Sequence, residues 1–191
     1  MKKGTKKIIT FVGFLGIIAL WVAVFSYVNP ELIVAKIGVT NGYLVLLLIG
    51  AIGGVSVFTG PSYFIALTTL SVVGLNPLLL GLAGGFGVTV GDTIMFFLGM
   101  NAGSKAPEKF QEKLHKLEKK LENKSRWFVN LITYSYITFT PFPNEIVTIS
   151  LGLLGYKKRL ILPILFLGNI SGGILGAILV RYGIDFLHLS F

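Results

Sequence analysis

The chain has 191 residues, of which 53% are hydrophobic and 13% charged, and its mean hydropathy is +0.80. A water-soluble domain of this size could not cover so much apolar surface, so the composition predicts one compact membrane domain. The lack of cysteine excludes a disulfide framework, a thiolate nucleophile and cysteine metal sites. The net charge is +9, and the charged residues lie in three clusters that flank apolar segments. This distribution argues against nucleic acid as a partner.

The first apolar run, residues 8–28, contains no charge and is long enough to cross a bilayer core, which needs ~20 residues. Four lysines precede it, as in a secretory signal peptide. The run is too long for such a signal, and no small-x-small cleavage site closes it. We therefore predict an uncleaved N-terminal transmembrane helix with its linker in residues 1–42, and a further membrane domain in residues 43–191.

Two further apolar stretches, one in each half of the remaining chain, are interrupted by proline in the same way. The first comprises 43–58, a break at 59–61 and 62–73, and the second comprises 127–139, a break at 140–143 and 144–154. Each piece is too short to span the membrane. Matched interruptions in two halves of a chain indicate a transporter-like site near the bilayer midplane. The pattern predicts two re-entrant helical hairpins whose tips, 59–62 and 140–145, meet there.

Full-length apolar runs follow each hairpin, at 78–98 and 160–180. With the N-terminus inside, 15 of the 17 lysines and arginines fall on the cytoplasmic side, which the positive-inside rule favours. We predict an all-α, multi-pass protein of the plasma membrane, with the C-terminus outside. After the N-terminal helix comes an inverted repeat of hairpin plus transmembrane helix, with halves of about 43–103 and 127–183. The alternative is that proline merely kinks two ordinary buried helices.

The cytoplasmic segment 104–126 joins the two halves and carries an amphipathic pattern. Its apolar residues, Phe110, Leu114, Leu117 and Leu121, recur at helical spacing among lysines and glutamates. We predict a helix that lies on anionic lipid. A solvated connector or a coiled-coil partner is the alternative.

Small residues recur every four positions on both long apolar runs. They are Gly87 and Gly91 on the first, and Gly168, Gly172 and Gly176 on the second. Such ridges let helix backbones approach closely in lipid. We predict packing within the chain, and a homo-oligomer interface is the alternative.

Short motifs in both halves add a further indication. They are Gly91-Asp92 followed by Gly99 and Gly103, the break Pro141-Phe142-Pro143-Asn144-Glu145 followed by Gly152 and Gly155, and Phe166 with Asn169. These motifs resemble those of DedA membrane proteins, also called the VTT-domain or SNARE-associated Golgi protein family, over roughly residues 40–183. The resemblance implies lipid movement, namely flipping of polyprenyl phosphates in bacteria and scrambling of phospholipids in eukaryotes.

The chain differs from that family in the charged residues of the two predicted hairpins. Many bacterial members carry an acidic residue in the first hairpin and arginines in the second. Here the first break is uncharged, and Thr138, Phe139 and Glu145 stand where arginine is expected. Recognition of an anionic headgroup would therefore rely on backbone N–H groups at the half-helix tips, with caps from Thr59, Thr140 and Asn144, and on a basic rim. The rim residues are Arg126, Lys157, Lys158 and Arg159.

Two carboxylates lie within the apolar segments, Asp92 in the middle span and Glu145 just past the second break. Intramembrane carboxylates are costly and usually face a cavity or a partner, so we predict a proton or cation relay or a headgroup contact. The alternative is a structural role, with Asp92 bonded to backbone and Glu145 supporting its half-helix. The candidate transport residues are Thr59, Gly60, Pro61, Ser62, Asp92, Thr140, Pro141, Pro143, Asn144 and Glu145.

Enzymatic chemistry is not indicated. His115 and His188 have no metal-ligand or acidic spacing, and no membrane histidine is present to activate Ser62. We predict neither catalytic residues nor a cofactor or metal, with membrane lipids as partners. The leading hypothesis is a lipid flippase or scramblase. The alternatives are a proton- or cation-coupled exporter of small solutes and a non-transporting membrane assembly factor.

Overall fold

A computed structural model describes residues 38–55, 60–105, 107–122, 126–140 and 143–187. In these ranges the regular structure is helical, which confirms the predicted all-α class for the described part of the chain. Its helices are α1 (Val39–Gly53), α2 (Gly60–Val72), α3 (Pro77–Ser104), α4 (Glu108–Glu122), α5 (Arg126–Phe139), α6 (Glu145–Leu153) and α7 (Lys158–Leu187). The predicted helix at 8–28, Thr59 and Pro141 lie outside the described residues.

Helices α3 and α7 are long and apolar enough to span a membrane. Asn76 caps α3 with its side-chain oxygen, which accepts from the Leu78 and Leu79 N–H groups, and Pro77 occupies the first turn. With 28 residues, α3 exceeds the predicted run 78–98, because apolar and small residues continue the helix to Ser104. Helix α7 likewise starts earlier and ends later than 160–180, and it contains Pro163. The two helices pack antiparallel, since Gly81 lies against Ile174 and Gly85 against Ile170.

Helix α1 runs along the first half of α3 in the same direction. A Cβ added at Gly42 would lie 3.1 Å from the Leu75 side chain, and one added at Gly54 would lie 3.1 Å from the Gly91 Cα. The predicted piece 43–58 is wrong at its C-terminal end, because α1 ends at Gly53 and a turn follows at 54–55. Consecutive glycines weaken a helix and account for this end. Helix α1 therefore stops about halfway along α3.

Helix α6 runs along the second half of α3, again in the same direction. A Cβ at Gly99 would lie 2.5 Å from the Ile149 carbonyl oxygen, and one at Gly103 would lie 2.5 Å from the Leu153 carbonyl oxygen. The end of α1 and the start of α6 thus both lie near the midpoint of α3. Together the two short helices cover most of the length of the long one.

Helix α7 is flanked in a similar way by α5 and α2. The Tyr156 hydroxyl donates to Asn130 on α5 at 2.6 Å, and a Cβ at Gly168 would lie 2.9 Å from the Ile137 side chain. Helix α5 therefore runs parallel to the first half of α7. Helix α2 runs along the second half. A Cβ at Gly173 would lie 3.0 Å from the Tyr63 hydroxyl, one at Gly176 would lie 3.3 Å from the Leu67 side chain, and Arg181 donates to the Gly74 carbonyl at 3.4 Å.

The turns that lead into α3 and α7 have the same construction. Gly74 and Gly155 have φ values of 92° and 66°, a conformation that glycine adopts without a steric penalty. The Leu75 N–H donates to the Leu70 carbonyl at 3.2 Å, and the Tyr156 N–H donates to the Leu151 carbonyl at 2.9 Å. Both turns are Schellman motifs. In both turns the donor is the residue after the glycine and the acceptor is the fourth residue before it. The sequence offset from Gly74 to Gly155 therefore maps each hydrogen-bonding residue of one turn onto its counterpart in the other.

The amphipathic segment is shorter than predicted. Helix α4 covers Glu108–Glu122 and not the whole of 104–126, because α3 extends to Ser104 and Pro107 immediately precedes α4. Proline is favoured at the start of a helix and cannot continue one from the preceding residues. The predicted helix in this connection is present within the new bounds.

Candidate functional site

A buried polar cluster lies at the midpoint of α3, where α1 ends and α6 begins. The Asp92 side chain is fully buried. Its Oδ2 accepts hydrogen bonds from the side-chain amides of Asn169 on α7, at 2.8 Å, and of Asn144 before α6, at 3.5 Å. The Asn144 amide also donates to the Asn169 side-chain oxygen at 2.9 Å. The carboxylate therefore joins three separate segments of the chain.

Thr89 extends this network along α3. Its hydroxyl accepts from the Asn169 amide at 3.3 Å and lies 2.7 Å from the Gly85 carbonyl, to which it donates. Sequence reasoning placed neither Thr89 nor Asn169 among the site residues. Asn169 entered only through the family resemblance. A usable signal was present, because uncharged polar residues on an otherwise apolar span need hydrogen-bond partners.

Asn144 corrects one expectation. The sequence suggested that Asn144 and Thr140 cap the half-helix after the break. Asn144 occupies the cap position of α6 but makes no capping hydrogen bond, because its side chain is engaged with Asp92 and Asn169. Thr140 donates instead to the Tyr136 carbonyl at 2.7 Å. The positive end of α6 therefore points at the cluster without a side-chain cap from either residue.

Two buried polar atoms have no partner within the described part of the chain. They are Oδ1 of Asp92 and the hydroxyl of Tyr63. Tyr63 lies in the first turn of α2, and its hydroxyl would lie 2.9 Å from a Cβ added at Gly84 on α3 and 3.0 Å from one added at Gly173 on α7. Buried polar groups are nearly always hydrogen-bonded, so each of these atoms calls for an explanation.

The titratable side chains at the cluster are acidic. Glu145, only 4% exposed, lies close enough for its charge to act on Asp92. No lysine or arginine occurs in residues 37–104, 127–156 or 160–180. The end of α1 and the start of α6 contribute about −0.5 and +0.5 charge respectively, which nearly cancel. The helices around the cluster thus supply carboxylates without a basic counterpart.

The other predicted site residues lie elsewhere. Gly60 and the exposed Pro61 begin α2, with Ser62 half-buried, and the Pro143 carbonyl accepts from the Tyr136 hydroxyl at 3.4 Å. The basic rim is separate, because the exposed Lys157, Lys158 and Arg159 precede Asn169 by at least ten residues, or roughly 15 Å along the helix. Arg126 is the first residue of α5.

The predicted packing glycines all lie against other helices of the same chain. Gly91 lies against Gly54 on the C-terminal side of α1, Gly168 and Gly172 against α5, and Gly176 against Leu67 of α2. The close approach that these positions permit brings the short helices to the midpoints of α3 and α7. The glycines therefore position the cluster without touching its polar atoms.

A cavity of about 690 Å³ lies away from this cluster, between the end of α3, α4 and the end of α6. Its lining includes Gly103, Glu108, Glu112, His115 and Leu153. It contains none of Asp92, Asn144 and Asn169. We base the site assignment on the buried polar network, because chemistry that crosses a membrane requires polar groups at depth.

Comparisons of the chain with protein-family models, with curated proteins and with solved structures find no match.

Proposed function

We propose that this chain is a membrane transporter that moves lipids between the two leaflets, as a flippase or scramblase. The observation that carries the proposal is the polar cluster at Asp92, because it lies where two short helices end beside the midpoint of a long apolar helix. Polar groups at that depth can contact a headgroup while the acyl chains remain in lipid.

Exposure supports placing α3 and α7 in a membrane. Only 44% of the most apolar window of α3 and 33% of that of α7 are buried, whereas a core helix of a soluble domain would be mostly buried. One face of α3 exposes apolar side chains at every fourth residue: Leu78, Leu82, Phe86, Val90, Ile94 and Leu98. This face is about 30 Å long at ~1.5 Å per residue, which matches the thickness of a bilayer core.

The packing supports an inverted repeat with two re-entrant hairpins. Helices α1 and α5 each run along the first half of the long helix in their own half of the chain. Helices α2 and α6 each run along the second half of the opposite long helix. The sequence offset between Gly74 and Gly155 also separates Tyr63 from Asn144, and Asp92 from Gly173. The Tyr63–Gly173 contact therefore corresponds to the Asn144–Asp92 contact when the two halves are exchanged. Such exchange is expected of a pseudo-two-fold axis in the membrane plane.

The family resemblance supports lipids as the substrate class. Two of its motif residues, Asp92 and Asn169, lie 77 positions apart and share a hydrogen bond of 2.8 Å. We therefore propose a distant relationship to DedA proteins, with phospholipids or polyprenyl phosphates as the transported class. The proposed orientation keeps the N-terminus and α4 in the cytoplasm, because most basic residues then lie inside.

A second candidate function is a cation-coupled exporter of small solutes. The observation that favours it is the pairing of Asp92 with Glu145 in a region without lysine or arginine. Buried carboxylates of this kind recur in ion-coupled transporters.

Reconstitution into vesicles tests both functions. Vesicles with a fluorescent lipid in both leaflets are treated with a membrane-impermeant quencher, and we expect protein-containing vesicles to lose the inner-leaflet signal as well. Protein-free vesicles are the control. Solute efflux that depends on a sodium or proton gradient, without lipid flipping, would replace the lipid function with the exporter. If correctly inserted protein shows neither lipid flipping nor solute efflux, both proposed functions are wrong.

A further inference from the structure

One oxygen of the Asp92 carboxylate accepts hydrogen bonds, and the other has no partner among the described residues. Oδ2 accepts from two amides, whereas Oδ1 is buried without a partner in the described part of the chain. A buried carboxyl group is normally paired, metal-bound, fully hydrogen-bonded or protonated, because an unpaired charge in a medium of low dielectric constant is very unfavourable. The two amides fix the orientation of the carboxylate and leave Oδ1 for a ligand.

The charge of that ligand follows from the surroundings. Glu145 adds a second carboxylate, the three apolar stretches that form the centre contain no lysine or arginine, and the helix ends nearly cancel. A positive partner therefore has to come from outside these helices. An anionic ligand would meet repulsion from both carboxylates.

The number of ligating groups indicates a single positive charge. Among the described residues, no group of three histidine, cysteine or acidic side chains is placed to hold a metal ion. Ca²⁺ in proteins usually takes roughly six to eight oxygen ligands, several of them carboxylates, and Mg²⁺ is usually held together with waters and substrate phosphates. The nearby end of α1 offers backbone carbonyls, including that of Ala51, which lies 2.7 Å from the position of a Cβ at Gly91. Carbonyls at the C-terminal ends of broken helices are known ligands for coupling ions.

We propose that Asp92 binds a small monovalent cation through Oδ1, either an alkali ion or the primary ammonium of a lipid headgroup. For its role in transport, this inference rests on the proposed function. It also deepens that function, because a central site of this charge favours zwitterionic lipids with a primary ammonium, or transport coupled to an alkali ion, over direct binding of a phosphate.

Thermal unfolding of the purified full chain tests the proposal without any transport measurement. The first arm compares detergent-solubilised protein in sodium, lithium or choline chloride at equal ionic strength. Choline is bulky and has no N–H to donate. For a saturated alkali site we expect the unfolding midpoint to rise by roughly 5–10 °C over choline. The second arm omits alkali ions and compares nanodiscs of phosphatidylethanolamine with nanodiscs of phosphatidylcholine, and a higher midpoint in ethanolamine lipid identifies the ammonium as the source.

Variants locate the effect. Asp92→Asn keeps the size of the side chain, and we expect it to abolish the cation or headgroup dependence. Glu112→Gln, on the exposed surface of α4, is the matched control and should retain it. Should Asp92→Asn fail to fold, Asn144→Ala replaces it, with the half-saturating cation concentration expected to rise about tenfold because Oδ2 loses one of its two amides.

The results separate the two proposals. A sodium- or ethanolamine-dependent midpoint that Asp92→Asn removes supports the cation site, whether or not vesicles show lipid flipping. A midpoint that responds to neither cation nor headgroup, or only to pH, overturns the site while leaving lipid flipping untouched. Dependence that persists in Asp92→Asn also overturns it.

Discussion

The two short helices that follow the proline breaks meet opposite long helices at equivalent positions but with different chemistry. Before α6, Asn144 bonds to Asp92 in a network that also holds Asn169. In α2, Tyr63 meets Gly173, and its hydroxyl has no partner in the described part of the chain. The same geometry therefore carries a polar contact in one half and a mainly apolar contact in the other. We infer that the segment around the second proline break supplies the polar chemistry of the proposed site and the segment around the first supplies shape.

Packing also differs between the α1–α3 contact and the equivalent α5–α7 contact. A Cβ at Gly91 would lie 2.5 Å from the Gly54 carbonyl carbon, whereas one at Gly172, the equivalent position in the second half, would lie 3.3 Å from the Ile137 carbonyl oxygen. The α1–α3 contact is thus packed backbone against backbone, and the α5–α7 contact has more room. Gly91, in the tighter contact, immediately precedes Asp92, so the polar network begins beside the closely packed pair of helices.

The largest expected effect is on transport. Asp92→Asn or Glu145→Gln should lower the lipid-flipping rate in vesicles by about tenfold or more, equivalent to losing an interaction of roughly 1.4 kcal/mol. The reason is that each removes a carboxylate from the proposed central site while preserving side-chain size. Flipping is measured after insertion and orientation have been checked.

The matched control for that experiment is Glu108→Gln, which removes an exposed carboxylate on α4 and should leave flipping unchanged. Wild-type flipping by both Asp92→Asn and Glu145→Gln would assign the two carboxylates a structural role. The polar contacts of one half would then contribute to the stability of the protein and not to transport.

Among the effects on stability, the largest is expected in the network itself. Asn169→Leu should destabilise the protein by about 3 kcal/mol, because it leaves Asp92, Asn144 and Thr89 with fewer partners in a buried site. Thermal or denaturant unfolding in detergent measures this change. A loss below about 1 kcal/mol would mean that water or another group replaces the amide, and the contrast between the halves would be weaker than the hydrogen bonds indicate.

Sequence was sufficient for features that depend on local chemistry. The apolar runs 78–98 and 160–180 lie inside α3 and α7, and the helices between them end near the predicted proline and glycine positions. Side-chain periodicity and helix breakers act over a few residues, so they can be read from the chain. The end of α1 at Gly53 was missed because apolar residues continue beyond it.

The polar cluster depends on contacts that sequence does not specify. Asp92 and Asn169 are 77 residues apart, and their meeting follows from the antiparallel packing of α3 and α7. Asn144 was expected to cap α6 because asparagine favours that position. It bonds to Asp92 instead, since the approach of α6 to α3 offers it a buried acceptor.

Glycine substitutions should reveal the difference in packing. Gly87→Ala should cost about 2 kcal/mol, because its Cβ would overlap the Leu47 carbonyl oxygen on α1. Gly168→Ala, at the equivalent position, should cost less, because the nearest atoms belong to the Ile137 side chain at 2.9 Å and not to backbone. The two unfolding midpoints are compared in the same detergent.

Gly183→Ala serves as the control for these substitutions, since no atom lies within 4 Å of the added Cβ. It should be neutral or stabilising by up to about 1 kcal/mol through helix propensity. Equal losses at Gly87 and Gly168 would show that both halves are packed with the same tightness.

The smallest effect is expected at the apolar contact. Tyr63→Phe removes a buried hydroxyl that has no partner among the described residues and keeps the ring, whose centroid lies 5.6 Å from that of Phe64. Because burying an unpartnered polar group is unfavourable, its removal should change stability by less than about 0.5 kcal/mol or raise it. Lipid flipping should also be unchanged, in contrast to Asp92→Asn. A clear fall in the unfolding midpoint would mean that the hydroxyl has a partner in the native protein. A clear fall in flipping would mean that the segment around the first proline break also takes part in the proposed transport, and the division between a polar and an apolar half would have to be abandoned.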